Sequence, residues 1–235
     1  MKNVITVKNI IKTYVSKTGI ETKVLRGIDF EVKKGEFVAI MGRSGAGKST
    51  LMYQISLLDT PTSGEVDVLG TDILKLTSKE KTKFRLEKLG YVFQDYALLP
   101  DLTALENVSL PIMMAGKTTE DAYLQAEEAL TSVGLGHRVD NLPSQMSGGE
   151  QQRVSIARAI AHNPDILFAD EPTANLDKAS SDVVMQAFKK LRDRGQTIVM
   201  VTHELDYGEQ ADRIVEVDDG RISSMMNEAN KIMLL

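Results

Sequence analysis

Glu36 to Leu58 reads EFVAIMGRSGAGKSTLMYQISLL, and its three parts decide the fold. Phe37 to Met41 is apolar throughout, the mark of a strand covered on both faces. Gly42 to Thr50, GRSGAGKST, is a glycine-rich turn closing on Lys-Ser-Thr. Beyond it Leu51, Ile55 and Leu58 fall at helical spacing, which predicts one buried helix face. A buried strand, a glycine-rich loop and an amphipathic helix, in that order, make a phosphate-binding loop.

Gly42 to Ser49 fits the pattern G-x-x-x-x-G-K-[ST]. The glycines let successive backbone N–H groups curl around phosphate oxygens, and the helix behind adds the positive end of its dipole. Gly42, Arg43, Ser44, Gly45, Ala46, Gly47, Lys48, Ser49 and Thr50 are therefore the nucleotide-binding candidates. Lys48 is expected to reach the β- and γ-phosphates, and the Ser49 hydroxyl to bind Mg²⁺. A chance match in a chain of this length is about a one-in-a-hundred event, and the flanking strand and helix agree with it. The chain is expected to bind a nucleoside triphosphate.

Outward from the loop, the first forty residues read as β. VITV, Val4 to Val7, opens an alternating run, and Leu25, Ile28, Phe30 and Val32 place apolar side chains mostly two apart. Two further continuous apolar runs come late, Ile166 to Ala169 and Ile198 to Val201. Between them Ser180 to Gly195 has helical spacing and a glycine stop. Buried strands alternating with amphipathic helices predict an α/β domain with a parallel sheet. Arg213 to Ser223 predicts a hairpin turning at Asp219-Gly220. From about Asp95 to Asn163 continuous apolar strands are missing. Ala122, Ala126, Ala129, Leu130 and Val133 share a helical face there, and another helix is expected from Glu150 to about Ala161. The expected organisation is one domain over 1–235, with an α/β core from 1–94 and 164–235 and an inserted helical subdomain from 95–163. Ser223 to Leu235 carries no readable message.

Composition narrows the function classes. At 235 residues the chain can bury one sizeable core with a smaller inserted lobe. A net charge of −5 gives no support for bulk electrostatic binding of nucleic acid. No apolar run approaches the ~20 residues that span a bilayer. The opening MKNVITVKNI lacks a secretory apolar segment and cleavage site, so a cytoplasmic location is expected. The absence of cysteine excludes disulfides and thiolate metal sites.

Other candidates flank the strands. Asp170 and Glu171 end the Ile166 run, where α/β crevices open. One carboxylate can hold Mg²⁺ through water, and the other can act as general base on an attacking water. His203 ends the Ile198 run and reads either as a capping or packing residue or as a phosphate contact. Gln94, in YVFQDY, reads equally as an exposed strand end. QMSGGEQQR, Gln145 to Arg153, opens a helix. Ser147 is an adequate N-cap and Glu150 completes a capping box, but that reading leaves the costly Gly148-Gly149 pair unexplained.

Together these segments resemble the ATP-binding subunits of ABC transporters over nearly the whole chain. GRSGAGKST resembles the Walker A motif, ILFADEP the Walker B motif, MSGGEQQR the ABC signature and FQD the Q-loop. NLD, Asn175 to Asp177 through Leu176, resembles the D-loop, and VTHE the switch-histidine segment. Tyr14 stands where the family keeps an adenine-stacking aromatic. The resemblance implies a P-loop NTPase (RecA-like) fold with a mixed sheet, an N-terminal antiparallel β part and the helical insertion. It also implies ATP and Mg²⁺, with Ser49, Gln94 and Asp170 at the metal, and hydrolysis carried by Glu171, His203, Gln94 and Lys48. A head-to-tail homodimer would sandwich each ATP between one Walker A and the partner's Ser147, Gly148, Gly149 and Glu150. The signature departs from its commonest form at Met146 and Glu150, where leucine and glutamine are usual, with Ser-Gly-Gly intact. LLDTPTSGEV and LLPDLTALENVSLP resemble the MacB/LolD group of exporters and lipoprotein-release systems. The expected partner is a separate membrane permease, since the chain stops at Leu235, and the expected place is the inner face of the cell membrane. The alternatives are an FtsE-like regulatory switch and a soluble ABC ATPase acting on nucleic acid or ribosomes; no nucleic-acid partner is expected.

Overall fold

The computed structural model describes residues 2–227. The uninterpreted segment from Ser223 therefore lies partly outside the described residues. The strands are β1 (Asn3–Val15), β2 (Glu21–Lys33), β3 (Phe37–Met41), β4 (Ser63–Val68), β5 (Thr71–Asp72), β6 (Leu89–Val92), β7 (Ile166–Asp170), β8 (Thr197–Val201), β9 (Arg213–Asp218) and β10 (Arg221–Asn227). The α-helices are α1 (Lys48–Ile55), α2 (Ser78–Lys88), α3 (Ala104–Met114), α4 (Thr119–Ser132), α5 (Gly148–Ile160), α6 (Lys178–Asp193) and α7 (Leu205–Gly208).

Two compact units emerge. One is built from the chain up to Lys81 and from Gly195 onward, the other from Thr82 to Arg194. In the first, an antiparallel sheet runs β2-β1-β4-β5. It buries Ile5, Val7 and Ile10 on β1 and Leu25, Ile28, Phe30 and Val32 on β2. The two-residue period of a sheet with one covered face lengthens to three between Val7 and Ile10, where the register shifts, and between Leu25 and Ile28. β3 lies in parallel between β8 and β9, with Ile40 opposite both Val201 and Val215. All five residues of β3 and of β8 are buried, as expected of strands covered on both faces. β9 and β10 form the expected hairpin, and Asp219 (φ 41°) with Gly220 (φ 72°) makes its turn.

One expectation fails here. Leu51 and Ile55 are fully buried on α1, but Leu58 is 44% exposed. The helix ends at Ile55, and Leu57 turns the chain at φ 58°. That turn carries Leu58 off the face its spacing assigned to it.

In the second unit β6 and β7 pair in parallel, Val92 opposite Ala169. α3, α4 and α5 pack on one another. α4 buries Ala122, Ala126, Ala129 and Leu130, and Val133 follows as its buried C-cap. α6 buries Val184, Met185 and Phe188 and is capped by Asp177, whose carboxylate accepts the Ser180 N–H at 2.9 Å. The helix predicted from Glu150 begins two residues earlier, at Gly148.

Candidate nucleotide site

In the first unit the phosphate-loop candidates run from Gly42 to Gly47 between β3 and α1 and continue as Lys48, Ser49 and Thr50 in the first turn of α1. Gly42 has φ 141°, and a Cβ there would run into the Val217 carbonyl of β9, so only glycine fits where the strand leaves the sheet. Gly47 (φ 104°) caps α1 without a side-chain bond, and no acidic residue occupies the helix's first turn. The N–H groups at that end are thus left for an anion. Arg43, Ser44 and Gly45 are exposed, Ala46 is buried, and Ser49 and Thr50 are half-buried. Lys48 is 6% exposed, and its Nζ donates to the Arg43 carbonyl at 3.1 Å. The ammonium is thereby folded over its own loop.

His203 is exposed, two residues beyond Val201. Because β3 and β8 run parallel and in register, Gly42 and His203 leave the sheet at the same edge, where ligand crevices of α/β sheets form. Tyr14, near the end of β1, is 42% exposed.

In the second unit the same logic applies to β6 and β7. Gln94 lies two residues beyond Val92, and Asp170 and Glu171 follow Ala169, so all three emerge at one edge. Asp170 is 7% exposed. Glu171 sits at φ 43°, an uncommon backbone setting for a non-glycine residue. The Asn175 amide donates to the Gln94 carbonyl at 3.2 Å and to Asp95 Oδ1 at 3.4 Å. Two segments eighty residues apart in sequence are thus tied together.

The signature segment opens α5 with the predicted capping box. Ser147 Oγ accepts the Glu150 N–H, and the Glu150 carboxylate accepts the Ser147 N–H. Ser147 is exposed and Gly148 half-buried. The glycine pair has a steric cause as well. A Cβ on Gly148 would come within 2.9 Å of Tyr96 Oη, and one on Gly149 within 2.8 Å of the Ser180 side chain. Gln152, fully buried, donates to the Pro172 carbonyl at 2.9 Å and ties α5 to the segment after Glu171.

Some supporting residues carry no readable sequence signal. Arg158 donates to the carbonyls of Ala97 at 2.6 Å and Tyr96 at 2.9 Å, and both those residues sit at positive φ, 51° and 59°. Buried Asn107 donates to the carbonyls of Leu99, Leu102 and Thr103 and accepts the Leu99 N–H. These two side chains shape the stretch after Gln94. Beside it a groove of 520 Å³ is lined by Arg85, Leu86, Phe93, Leu99, Pro111 and Met114, among others.

Comparison with known proteins bears on all of these segments. A family profile described as "ABC transporter" matches residues 25–174. The chain is 47% identical over 216 residues to the "Lipoprotein-releasing system ATP-binding protein LolD" of Aquifex aeolicus (strain VF5), covering 92% of this chain and 93% of that protein. It is 45% identical over 228 residues to the "Macrolide export ATP-binding/permease protein MacB" of Campylobacter fetus subsp. fetus (strain 82-40), covering 97% of this chain and 35% of that longer protein. A solved structure described as "Dimeric structure of a post-hydrolysis state of the ATP-binding cassette MJ0796 bound to ADP and Pi" matches with a TM-score of 0.88. Its sequence identity is 40%, over 95% of this chain and 98% of that one. Similarity of this degree along both units makes the chain a member of the ABC transporter family, as one of its ATP-binding cassettes.

Proposed function

We propose that this cassette hydrolyses ATP in a head-to-tail dimer and drives a membrane permease of the export or lipoprotein-release type. The observation that carries the reading is the presence in one chain of two glycine-rich helix starts suited to phosphate, Gly47 before α1 and Ser147-Gly148-Gly149 at α5. A nucleotide shared between two copies uses both, one from each chain. The dimeric cassette with ADP and Pi among the similar structures supports it, as do the names of the LolD and MacB relatives.

In this reading the N–H groups of residues 42–50 and the Lys48 ammonium hold the phosphates. Ser49, Asp170 and Gln94 offer the hard oxygen donors that suit magnesium, which when bound neutralises charge on the β- and γ-phosphate oxygens. Glu171 accepts a proton from water as its oxygen bonds to the γ-phosphorus, and the bond to the bridging oxygen breaks, leaving ADP and phosphate. His203 and the partner's signature residues hold the γ-phosphate during that step.

No helix among the described residues is long and apolar enough to cross a membrane. Membrane association, on the cytoplasmic face, is assigned here to the permease, docked on the groove beside Leu99 and Pro111 and on the helical segment 95–163. The test is to solubilise host membranes gently and identify what co-purifies with the Glu171→Gln chain and ATP. A polytopic protein with a large extracytoplasmic domain supports the reading; a division-type partner would replace transport with regulation. Recovery of nucleic acid or ribosomes alone would overturn it.

A further inference from the structure

Tyr14 is held by more than its strand. Its hydroxyl donates to Asp59 Oδ2 at 2.8 Å and also meets the Thr50 side chain. Lys12, two residues earlier on β1, is only 9% exposed. Its ammonium donates to Asp59 Oδ1 at 2.9 Å and to the Thr60 carbonyl at 2.7 Å. The same ammonium stands 4.6 Å from the centre of the Tyr14 ring. Gln54 donates to the Asp59 carboxylate at 3.1 Å. Burial acts to raise the Asp59 carboxyl, but hydrogen bonds from Lys12, Tyr14, Gln54 and the Thr60 N–H outweigh it and hold it at about 2. Asp59 is therefore a carboxylate at any working pH.

Thr50 and Gln54 both lie on α1, the helix that begins at Lys48. The Tyr14 hydroxyl is thus tied to the helix behind the phosphate loop directly at Thr50 and, through the Asp59 carboxylate, at Gln54. An ammonium against one face of an aromatic ring is attracted to its π density, and it leaves the opposite face as the one a flat ligand can cover. Anchoring the hydroxyl removes torsional freedom that the side chain would otherwise lose on binding.

We propose that Lys12 and Asp59 are positioning residues for the nucleobase. They set the Tyr14 ring at a fixed distance from the phosphate loop, so that its open face receives the base of a nucleotide whose phosphates lie at Lys48. The inference rests on Tyr14 as the base-stacking residue. Its competitor is a structural tie, in which the Lys12–Asp59 pair merely fastens β1 to the turn after α1.

The experiment measures equilibrium binding of ADP and of inorganic pyrophosphate to the full chain. Pyrophosphate has no base, so it reports the phosphate loop alone. Tyr14→Ala is expected to weaken ADP about tenfold or more, the scale of one stacked base, with pyrophosphate unchanged. Asp59→Asn and Lys12→Met are expected to weaken ADP about three- to tenfold, again with pyrophosphate unchanged. Lys12→Arg recovers part of the loss, and Asp59→Asn adds nothing once Tyr14 is alanine. In steady state these variants raise KM and keep kcat. Parallel loss of ADP and pyrophosphate in Asp59→Asn and Lys12→Met would establish the structural tie and end the proposal. Unchanged ADP affinity in those variants, with Tyr14→Ala weakened, would show that the ring needs no positioning. Unchanged ADP affinity in Tyr14→Ala would remove the stacking role itself, a separate failure that takes the proposal with it.

Discussion

The Ser147 hydroxyl lies 3.0 Å from Glu150 Oε2, and that same oxygen accepts the Ser147 N–H at 2.9 Å. Arg138 takes the other oxygen, Nε to Oε1 at 3.1 Å. The exposed serine that would face a partner's phosphate is thus also the cap of its own helix. To give its proton to a phosphate it must release Glu150.

Ser147→Ala is expected to cost about 1 kcal/mol of stability through the lost cap, read from urea unfolding. Ser147→Arg should abolish the ATP-dependent dimer in light scattering while the monomer still binds ADP. Equal loss of dimer and ADP binding would leave Ser147 a helix cap and nothing more.

The Ser147 N–H bond leads the effects on Glu150; burial opposes it, and the Ser147 hydroxyl, Arg138 and Arg153 assist, so the carboxyl lies below its ordinary value. A folded value below the unfolded one, about 4.3, means the contribution is complete above that pH and is lost as pH falls through the folded value. The stability gap between the native chain and Glu150→Gln should therefore narrow from about pH 5 downward. A gap that stays constant to pH 3 would contradict this assignment.

Glu171→Gln keeps the size of the side chain at a position of φ 43° but replaces one carboxylate oxygen with an NH₂ donor, removing the group proposed as the base. The expected outcome is a fall in kcat of at least about a hundredfold, with ATP still bound and dimer accumulating on size exclusion. Turnover near normal would show that another group takes the proton.

Arg158 satisfies two carbonyls on residues held at positive φ. Arg158→Met should cost about 1–3 kcal/mol and speed amide hydrogen exchange over residues 95–99 more than elsewhere in the second unit. Uniform exchange, or none, would mean the strained stretch is held by other contacts.

Gly149→Ala would press a methyl against Ser180, at an expected cost of about 1–3 kcal/mol. Ser180→Gly in the same chain should recover part of that stability. If the glycine also serves phosphate, the double variant will fold well and still dimerise poorly with ATP. Full recovery of both would assign Gly149 to packing alone.

Sequence reading was strongest where local chemistry and tertiary context agreed. The Gly42–Thr50 loop, the buried runs of β3, β7 and β8, the Asp219-Gly220 hairpin and the α4 alanine face were legible because each depends on short-range spacing. Leu58 misled because spacing says nothing of where a helix stops, and the turn at Leu57 has no glycine to announce it. β4 and α2 carry no comparable signal: α2 buries no residue of its own, so it offers no apolar stripe.

What the sequence determined by itself was the chemistry available: a loop of glycines ending in Lys48-Ser49, a carboxylate pair closing a strand, and a capped helix start at Ser147. Those are local patterns, set by backbone sterics and side-chain type. Only the tertiary structure decided how they are held. Asn175 on the Gln94 carbonyl, Gln152 on Pro172, and Arg158 on Tyr96 and Ala97 join segments 20 to 81 residues apart. The same is true of Lys12 and Tyr14 on Asp59, 47 and 45 residues away. A polar side chain has many candidate partners along a chain, and only the packing of strands and helices brings one of them within hydrogen-bonding distance.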